Sequence, residues 1–261
     1  MDYTKIKLSM DGDVAIIAFN DPATMNAAGV DTAEQLTDAF RQVSDGGLGA
    51  RAVVLTGEGR GFCSGANLSS TGSGGEPRDA GSSLERTYNP LVTAIRDLPV
   101  PIVTAVNGAA AGIGCSFALM GDIIVAAESA YFMQAFRRIG LVPDGGSTYL
   151  LPRMIGRARA MEMMMLGDKV AGPKALEWGL VNRCVPDADL MDTALKFARE
   201  LAQGPKSLGM IRRLVWDALD NEWKSQLQAE AVTQSQAGKT EDFAEGVTAF
   251  LQKRPASFRG R

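Results

Sequence analysis

The 261-residue sequence contains no histidine. This absence excludes Ser-His-Asp and Cys-His nucleophile pairs, zinc sites of the His-Glu-x-x-His type and imidazole as a general base. The cysteines Cys63, Cys115 and Cys184 are widely spaced and form no Cys-x-x-Cys motif, which indicates reduced thiols rather than a disulfide framework or a metal site. Acid–base chemistry therefore has to come from Asp, Glu, Lys, Tyr, Cys or water, and no metal ion is predicted.

The sequence also lacks an excess of positive charge, because 27 Lys and Arg stand against 30 Asp and Glu, for a formal net charge of −3. Without a basic tract there is no electrostatic reason to bind nucleic acid or an anionic membrane. The apolar runs are far too short to span a bilayer, and the first residues do not have the basic flank and apolar stretch of a secretory signal. We therefore predict a cytoplasmic protein whose partners include neither nucleic acid nor membrane.

Short apolar runs alternate with helical patterns in the first part of the chain. A helix with Asp31 as its N-cap and Glu34 as the second member of a capping pair is predicted after the first run. Strands separated by helices favour crossover connections and a largely parallel sheet, which is an α/β fold. The predicted strands are residues 14–19, 52–56, 102–106, 123–126 and 131–133.

The pattern changes near residue 190, after which only helices are predicted, at 190–201, 207–219, 223–236 and 241–253. Their apolar residues exceed what one short helix face needs, so they either cap the sheet of their own chain or pack against other subunits. We therefore divide the chain into an α/β core, residues 1–190, and a helical oligomerisation region, residues 191–261. The Gly/Ser-rich segment 69–83 is either a surface insertion or a lid over a site.

Two glycine-rich segments invite a nucleotide-binding interpretation, and neither fits one. Residues 237–240, Ala-Gly-Lys-Thr, lack the leading glycine of a phosphate-binding loop and follow no strand. Residues 112–117 follow a strand, but Phe117 stands where the dinucleotide fingerprint has its third glycine.

Two further segments combine a strand with a glycine-rich turn. The strand 52–56 runs into residues 57–68, and the strand 102–106 runs into residues 107–114 and an apolar helix. Glycine lets two backbones approach closely, and a helix start leaves N–H groups unpaired. Two such N–H groups at one point would form an oxyanion hole. On the residues alone, simple packing of the two turns is the favoured interpretation.

Three motifs in order then resemble the crotonase (enoyl-CoA hydratase/isomerase) superfamily. They are Phe-Cys-Ser-Gly-Ala-Asn-Leu at 62–68, Asn-Gly-Ala-Ala-Ala-Gly-Ile-Gly at 107–114 and Gly-Leu-Val-Pro-Asp-Gly-Gly-Ser at 140–147. The resemblance implies a spiral of ββα units and a helical C-terminal trimerisation region. It also implies a homotrimer or dimer of trimers acting on an acyl-CoA thioester, with coenzyme A as part of the substrate and no separate cofactor.

The resemblance also implies roles for individual residues. The oxyanion N–H donors would belong to Ala66 and Ile113. The C-terminal helix would reach CoA through Phe250 and Lys253, often from a neighbouring subunit. The remaining positions implied to line the CoA groove or the substrate pocket are Ala23, Thr24, Met25, Ser64, Gly65, Asn67, Leu68, Gly112 and Phe136.

The departures from the family pattern limit which of the superfamily's reactions this protein is expected to catalyse. Hydratases of this superfamily hold water between two glutamates, and those positions here are Ser116 and Phe136. Asp144 matches the single acid of the isomerase branch, which includes relatives of the phenylacetate-pathway epoxide isomerase. A second interpretation is that Asp144 only caps the helix starting near Ser147. Arginines that either meet CoA phosphates or are simply solvated are Arg137, Arg138, Arg153 and Arg157.

We therefore predict an acyl-CoA isomerase with a place in fatty-acid metabolism. It shifts the double bond of a 3-enoyl-CoA, or rearranges a related ring or epoxide acyl-CoA, through an enolate with Asp144 as acid and base. One alternative is an enoyl-CoA hydratase or acyl-CoA hydrolase that uses water placed by Asp144. Another, of a different class, is a non-catalytic acyl-CoA-binding oligomer.

Overall fold

The computed structural model of the protein describes residues 2–67 and 79–261. Its strands are β1 (Ile6–Asp11), β2 (Val14–Phe19), β3 (Ala52–Gly57), β4 (Gly61–Cys63), β5 (Ile102–Val106), β6 (Ala109–Ala111), β7 (Ile123–Ala127), β8 (Tyr131–Met133), β9 (Val170–Ala171) and β10 (Arg183–Val185). Its helices are α1 (Val30–Ser44), α2 (Ala80–Ser83), α3 (Asn89–Arg96), α4 (Ile113–Ala118), α5 (Ser147–Leu166), α6 (Gly172–Trp178), α7 (Leu190–Ala202), α8 (Ser207–Ala218), α9 (Trp223–Ala237) and α10 (Glu241–Gln252).

Within the described residues, the larger sheet has the strand order β1-β2-β3-β5-β7-β10. Strand β1 is antiparallel to β2, and the other neighbours are parallel. Strands β2, β3 and β5 are apolar and buried along almost their whole length, as expected for parallel strands covered on both faces. The predicted α/β class and the predicted strands of this sheet are confirmed.

A smaller sheet runs beside it in the order β4-β6-β8-β9. Its first three strands are parallel, and β9 is antiparallel to β8. The chain repeatedly makes one strand of the larger sheet, one strand of the smaller sheet and then a helix, as in β5-β6-α4 and β7-β8-α5. This repeat is the spiral of ββα units implied by the resemblance. Strands β4 and β6 were not predicted, because they lie inside the segments 57–68 and 107–114, whose glycines indicated turns.

The helical end of the chain, α7 to α10, is confirmed close to its predicted bounds. Helix α7 packs on β3, β5 and β7 of the larger sheet, so it covers the core of its own chain. The division of the chain at residue 190 stays a prediction. Large apolar side chains exposed on or beside α8 to α10 are Ile211, Val215, Leu219, Trp223, Leu227, Val232, Phe243, Val247, Phe250 and Leu251.

Two local predictions concern the start of α1 and the segment 69–83. The predicted N-cap role of Asp31 is wrong, because Gly29 is the N-cap of α1 and no side chain caps this helix. Asp31 instead lies in the first turn, where its negative charge favours the positive end of the helix dipole. The predicted insertion or lid at 69–83 lies largely outside the described residues, and its end forms the single turn α2.

Candidate active site

The first glycine-rich turn follows β4 and is held by the peptide group of Ala28. The Ala28 N–H donates to the Gly65 carbonyl at 2.7 Å, and the Asn67 N–H donates to the Ala28 carbonyl at 3.1 Å. Ala66 is paired with Ala28 in a parallel bridge whose bonds belong to residues 65 and 67, so the N–H of Ala66 lies on the side away from Ala28. It forms no hydrogen bond with another described residue, and Ala66 is exposed.

The second glycine-rich turn joins β6 to α4. The Gly112 N–H donates to the Met133 carbonyl at 2.9 Å, and the Gly112 carbonyl accepts from the Cys115 N–H at 3.0 Å. Ile113 is the first residue of α4, so its N–H has no partner within the helix. Among the described residues, no other group accepts a hydrogen bond from this amide.

These two turns lie in direct contact, since β4 and β6 are parallel neighbours whose carboxyl ends share one edge of the smaller sheet. A Cβ on Gly112 would be 3.8 Å from the Gly65 Cα and 3.8 Å from the Phe136 Cζ. A Cβ on Gly114 would be 2.1 Å from the Cys63 carbonyl oxygen, so only glycine permits this approach. The structure therefore brings two amides that are unpaired among the described residues, Ala66 and Ile113, to the same edge.

Asp144 precedes α5 and reaches this edge through its main chain. Its carbonyl accepts hydrogen bonds from the Ser116 hydroxyl at 2.8 Å, the Ser147 hydroxyl at 2.8 Å and the Ser147 N–H at 3.1 Å. Its carboxylate caps nothing, because the N-cap of α5 is Gly146 and no side chain caps this helix. The interpretation of Asp144 as a helix cap is therefore wrong.

The Asp144 carboxyl group is half-buried, and its Oδ1 is buried without a hydrogen-bond partner among the described residues. Burial alone raises the pKa of this carboxyl from 3.8 to about 6. No charge in the described part of the chain contributes to the shift. At neutral pH most of the carboxyl is therefore ionised, although it holds a proton more tightly than an ordinary aspartate.

Tyr88 is a member of this cluster that sequence analysis missed. Its hydroxyl donates to the Ala28 carbonyl at 2.8 Å, the same carbonyl that receives the Asn67 N–H. Burial, with a smaller contribution from the negative charge of Asp144, raises the pKa of Tyr88 to about 12. No local pattern marks Tyr88, because its partner lies 60 residues earlier in the chain.

At the two positions where hydratases carry glutamate, the side chains of this protein are both buried. The Ser116 side chain is fully enclosed and bonded to Asp144. The Phe136 ring, only 6% exposed, lies against Gly112. The described site therefore holds one carboxylate and an apolar wall where a pair of carboxylates would be needed.

The segments predicted to line the CoA groove are partly assembled. The Ser64 N–H donates to the Met25 carbonyl at 3.0 Å, and the Ser64 hydroxyl donates to the Thr24 carbonyl at 3.0 Å. Ala23, Thr24 and Met25 are exposed, so this surface beside Ala66 is open to a ligand. Leu68, predicted to belong to the same groove, lies outside the described residues.

Other residues predicted to contact CoA lie elsewhere. Phe250 is 82% exposed on α10 and borders a groove that contains Phe243 and Phe258 but neither glycine-rich turn. Lys253 ends the same helix. Contact of Phe250 and Lys253 with CoA stays a prediction.

Three of the four singled-out arginines have structural contacts. Arg137 and Arg138 donate to carbonyls at the end of α5, and Arg153 stacks on the ring of Tyr149 at 3.7 Å. These contacts favour a structural role for Arg137, Arg138 and Arg153 over phosphate binding.

Residues 2–67 and 79–261 contain no group of three or more metal-ligating side chains placed to hold an ion. No helix in these ranges is long and apolar enough to cross a membrane. Cys63, Cys115 and Cys184 are free.

Comparison with known proteins gives consistent matches over almost the whole chain. Residues 9–261 match the family model described as enoyl-CoA hydratase/isomerase. The chain is 43% identical over 251 residues to the 1,2-epoxyphenylacetyl-CoA isomerase of Escherichia coli K12, covering 95% of both chains. It is 41% identical over 262 residues to a Rhodobacter capsulatus protein named "Probable enoyl-CoA hydratase", covering all of both. A crystal structure of an enoyl-CoA hydratase from Polaromonas sp. JS666 superimposes with a TM-score of 0.89 at 32% identity, covering 97% of this chain and 99% of the other.

Proposed function

Since the chain belongs to the enoyl-CoA hydratase/isomerase family, we propose that it is an acyl-CoA isomerase. It shifts the double bond of a 3-enoyl-CoA thioester or rearranges a related ring or epoxide acyl-CoA. The observation that carries this proposal is the half-buried Asp144, whose Oδ1 has no hydrogen-bond partner among the described residues, on a turn that packs against α4 and its first residue, Ile113. The residues at 116 and 136 supply no second acid.

The N–H groups of Ala66 and Ile113 hold the thioester oxygen of the substrate. When a proton leaves C2, negative charge moves onto that oxygen and the thioester becomes an enolate. Fixed N–H donors stabilise this charge more strongly than they stabilise the neutral ground state. Losing one such donor typically costs about 3 kcal/mol of barrier.

Asp144 acts as the single acid–base group. Its carboxylate takes the proton from C2, the C–H bonding pair becomes part of the enolate, and the protonated carboxyl returns a proton to C4. A carboxyl with a pKa of about 6 suits both steps, because it is mostly ionised at neutral pH and yet is a stronger base than an ordinary aspartate. The apolar wall formed by Phe136 keeps this carboxyl in a poorly solvated place.

The CoA portion lies along the exposed surface formed by residues 23–25 and the turn at residues 64–67, with Gly112 as further lining. Phe250 and Lys253 reach CoA from a neighbouring subunit, in a homotrimer or a dimer of trimers. The large apolar side chains exposed on α8 to α10 support such an assembly, because exposed apolar patches commonly mark subunit interfaces.

The hydratase or hydrolase alternative requires a water molecule activated by Asp144 alone. Phe136 opposes it, since the ring occupies the wall where a second water-holding carboxylate would stand. Loss of the conjugated thioester absorbance of crotonyl-CoA measures hydration directly. Hydration of crotonyl-CoA without C2 exchange of 3-enoyl-CoA would replace our proposal with the hydratase alternative.

The test is proton exchange at C2 in deuterated water across a panel of acyl-CoA esters that includes 3-enoyl, 2-enoyl and 1,2-epoxyphenylacetyl thioesters. We expect exchange and isomerisation by the wild-type chain with at least one ester, and loss of both in Asp144→Asn. This substitution removes the base but keeps the size of the side chain. Exchange that survives in Asp144→Asn would contradict the mechanism, and tight ester binding without any turnover would favour the non-catalytic binding protein.

A further inference from the structure

We propose that Ser116 is a positioning residue, which fixes the main chain of Asp144 while the carboxylate stays free to pivot between two carbon atoms of the substrate. The inference rests on the proposed function, in which Asp144 carries a proton from C2 to C4. It gives a role to a hydroxyl that stands where hydratases of the family carry an acid.

The contact is short and completely enclosed. Ser116 is 0% exposed, and its hydroxyl donates to the Asp144 carbonyl at 2.8 Å. The same carbonyl accepts two bonds from Ser147. A carbonyl oxygen has two lone pairs, so Ser147 alone already satisfies it. The Ser116 bond is therefore not required to pair a buried acceptor, and its effect is to tie Asp144 to α4.

Helix α4 carries both parts of the proposed chemistry. Ile113 and Ser116 are three residues apart in the same short helix, so the N–H at its start and the Ser116 side chain belong to one rigid turn. The Ile113 N–H would bind the thioester oxygen, and the Ser116 hydroxyl binds the main-chain carbonyl of Asp144, the residue that supplies the base. One rigid helical turn thus sets the distance between the oxyanion donor and the main chain of Asp144.

The Oδ1 of the carboxylate is buried and has no hydrogen-bond partner among the described residues. Most buried polar atoms have a partner, so this freedom is unusual. A group that removes a proton at C2 and delivers it at C4 has to reach two positions in turn, and a hydrogen bond to its carboxylate would oppose that movement. Anchoring the carbonyl while leaving the carboxylate free meets both requirements.

The experiment compares Ser116→Ala with a matched control, Cys115→Ala. Each change removes one heavy atom from a fully buried residue of α4, but the Cys115 thiol bonds to Met133 and Gln134, whereas the Ser116 hydroxyl bonds to Asp144. Both variants and the wild type are assayed for kcat and KM of isomerisation and for the ratio of C2 exchange to isomerisation. A change that only loosens packing alters stability in both variants alike.

We expect Ser116→Ala to lower kcat by about 10- to 100-fold, the usual effect of a misplaced catalytic group, with KM nearly unchanged. The ratio of exchange to isomerisation should rise, because removal at C2 survives better than delivery at C4. Cys115→Ala should keep the wild-type ratio. If Ser116→Ala does not fold, Ser116→Cys, which keeps a side chain of similar shape but only a weak donor, should show the same rise.

Equal kcat and equal ratios in the Ser116 and Cys115 variants would overturn the inference and leave the proposed function intact. Absence of exchange and isomerisation in the unmodified protein would instead refute the proposed function, and the role of Ser116 with it. The wild-type measurement therefore separates the two failures.

Discussion

Gly145 lies against Ile113 so closely that a Cβ on the glycine would be 2.4 Å from the Ile113 Cδ1. The same Cβ would be 2.7 Å from the Cβ of Ser116, and Gly145 has a φ of +60°. Both the contact and the dihedral angle require glycine here. Gly145 thus lets the main chain next to Asp144 pack directly against α4.

Gly145→Ala and Gly146→Ala form a matched pair that separates contact from dihedral strain. Gly146 also has a positive φ, +81°, but nothing lies within 4 Å of its would-be Cβ. We expect Gly146→Ala to cost about 1–2 kcal/mol of unfolding free energy, and Gly145→Ala about 1–3 kcal/mol more. Urea denaturation measures both costs. Activity should collapse only in Gly145→Ala, and equal stability and activity in the two variants would argue against the tight contact.

The pH dependence of catalysis should report Asp144. Because its pKa is raised to about 6 by burial and the base form is the active one, kcat/KM should rise with pH up to about 6 and level off above. Below that point it should fall about tenfold per pH unit. Initial rates between pH 4.5 and 8 test this expectation. A profile that falls as pH rises through 6 would mean that the acid form starts the reaction.

The ionised Asp144 carboxylate should also lower the free energy of unfolding above pH 6. The folded state binds a proton up to pH about 6, whereas an unfolded aspartate releases it near its ordinary pKa of 3.8. Between these values the folded state binds more protons, so stability falls as pH rises. We expect Asp144→Asn to melt at a higher temperature than the wild type above pH 6, with the difference lost below about pH 3.8. Thermal denaturation at pH 7.5 and pH 4 gives the comparison.

Helix α8 should depend on Arg212. Its side chain is 3% exposed, donates to the Asp122 carboxylate at 2.7 Å and to the carbonyls of Leu98 and Ile95 at 2.9 Å. Arg212→Leu leaves the partly exposed Asp122 carboxylate without its cation and two buried carbonyls without their donor, which should cost about 3–5 kcal/mol. Arg213→Leu, at an exposed neighbour, should change stability by less than about 1 kcal/mol. Comparable losses in both would show that α8 is held by other contacts.

Lys253 tests the proposed contribution of the C-terminal helix to CoA binding. We expect Lys253→Ala to raise KM for acyl-CoA esters with kcat nearly unchanged, since a contact with CoA binds ground state and transition state alike. Lys239→Ala, in the turn between α9 and α10, serves as the control and should leave KM unchanged. A large fall in kcat at constant KM would contradict the assignment.

Local signals predicted much of the fold and part of the site. Apolar runs such as Val14–Phe19 form the larger sheet as expected. The glycine-rich segments after two of those runs indicated the turns that contain Ala66 and Ile113. The Asp31 cap failed because Gly29, two residues earlier, starts the helix through its backbone conformation alone. A side-chain preference cannot reveal that choice.

Relations between distant residues left no such signal. Tyr88 reaches Ala28, and Ser116 reaches Asp144, across 60 and 28 residues of chain. Sequence analysis treated Ser116 only as the place of a missing acid. The hydrogen bond that gives it a structural role depends on how α4 and the turn before α5 come together, which no short window of sequence contains.

The unpaired amides of Ala66 and Ile113 are main-chain groups, so every coded residue except proline supplies them. Point mutation therefore exchanges the side chains at 116, 136 and 144 far more readily than it removes the amides. A homologue with substitutions at those three positions therefore keeps the proposed binding site for the substrate carbonyl. New reactions on CoA esters can then arise from new side chains that move protons or bind water, while the two backbone amides remain unchanged.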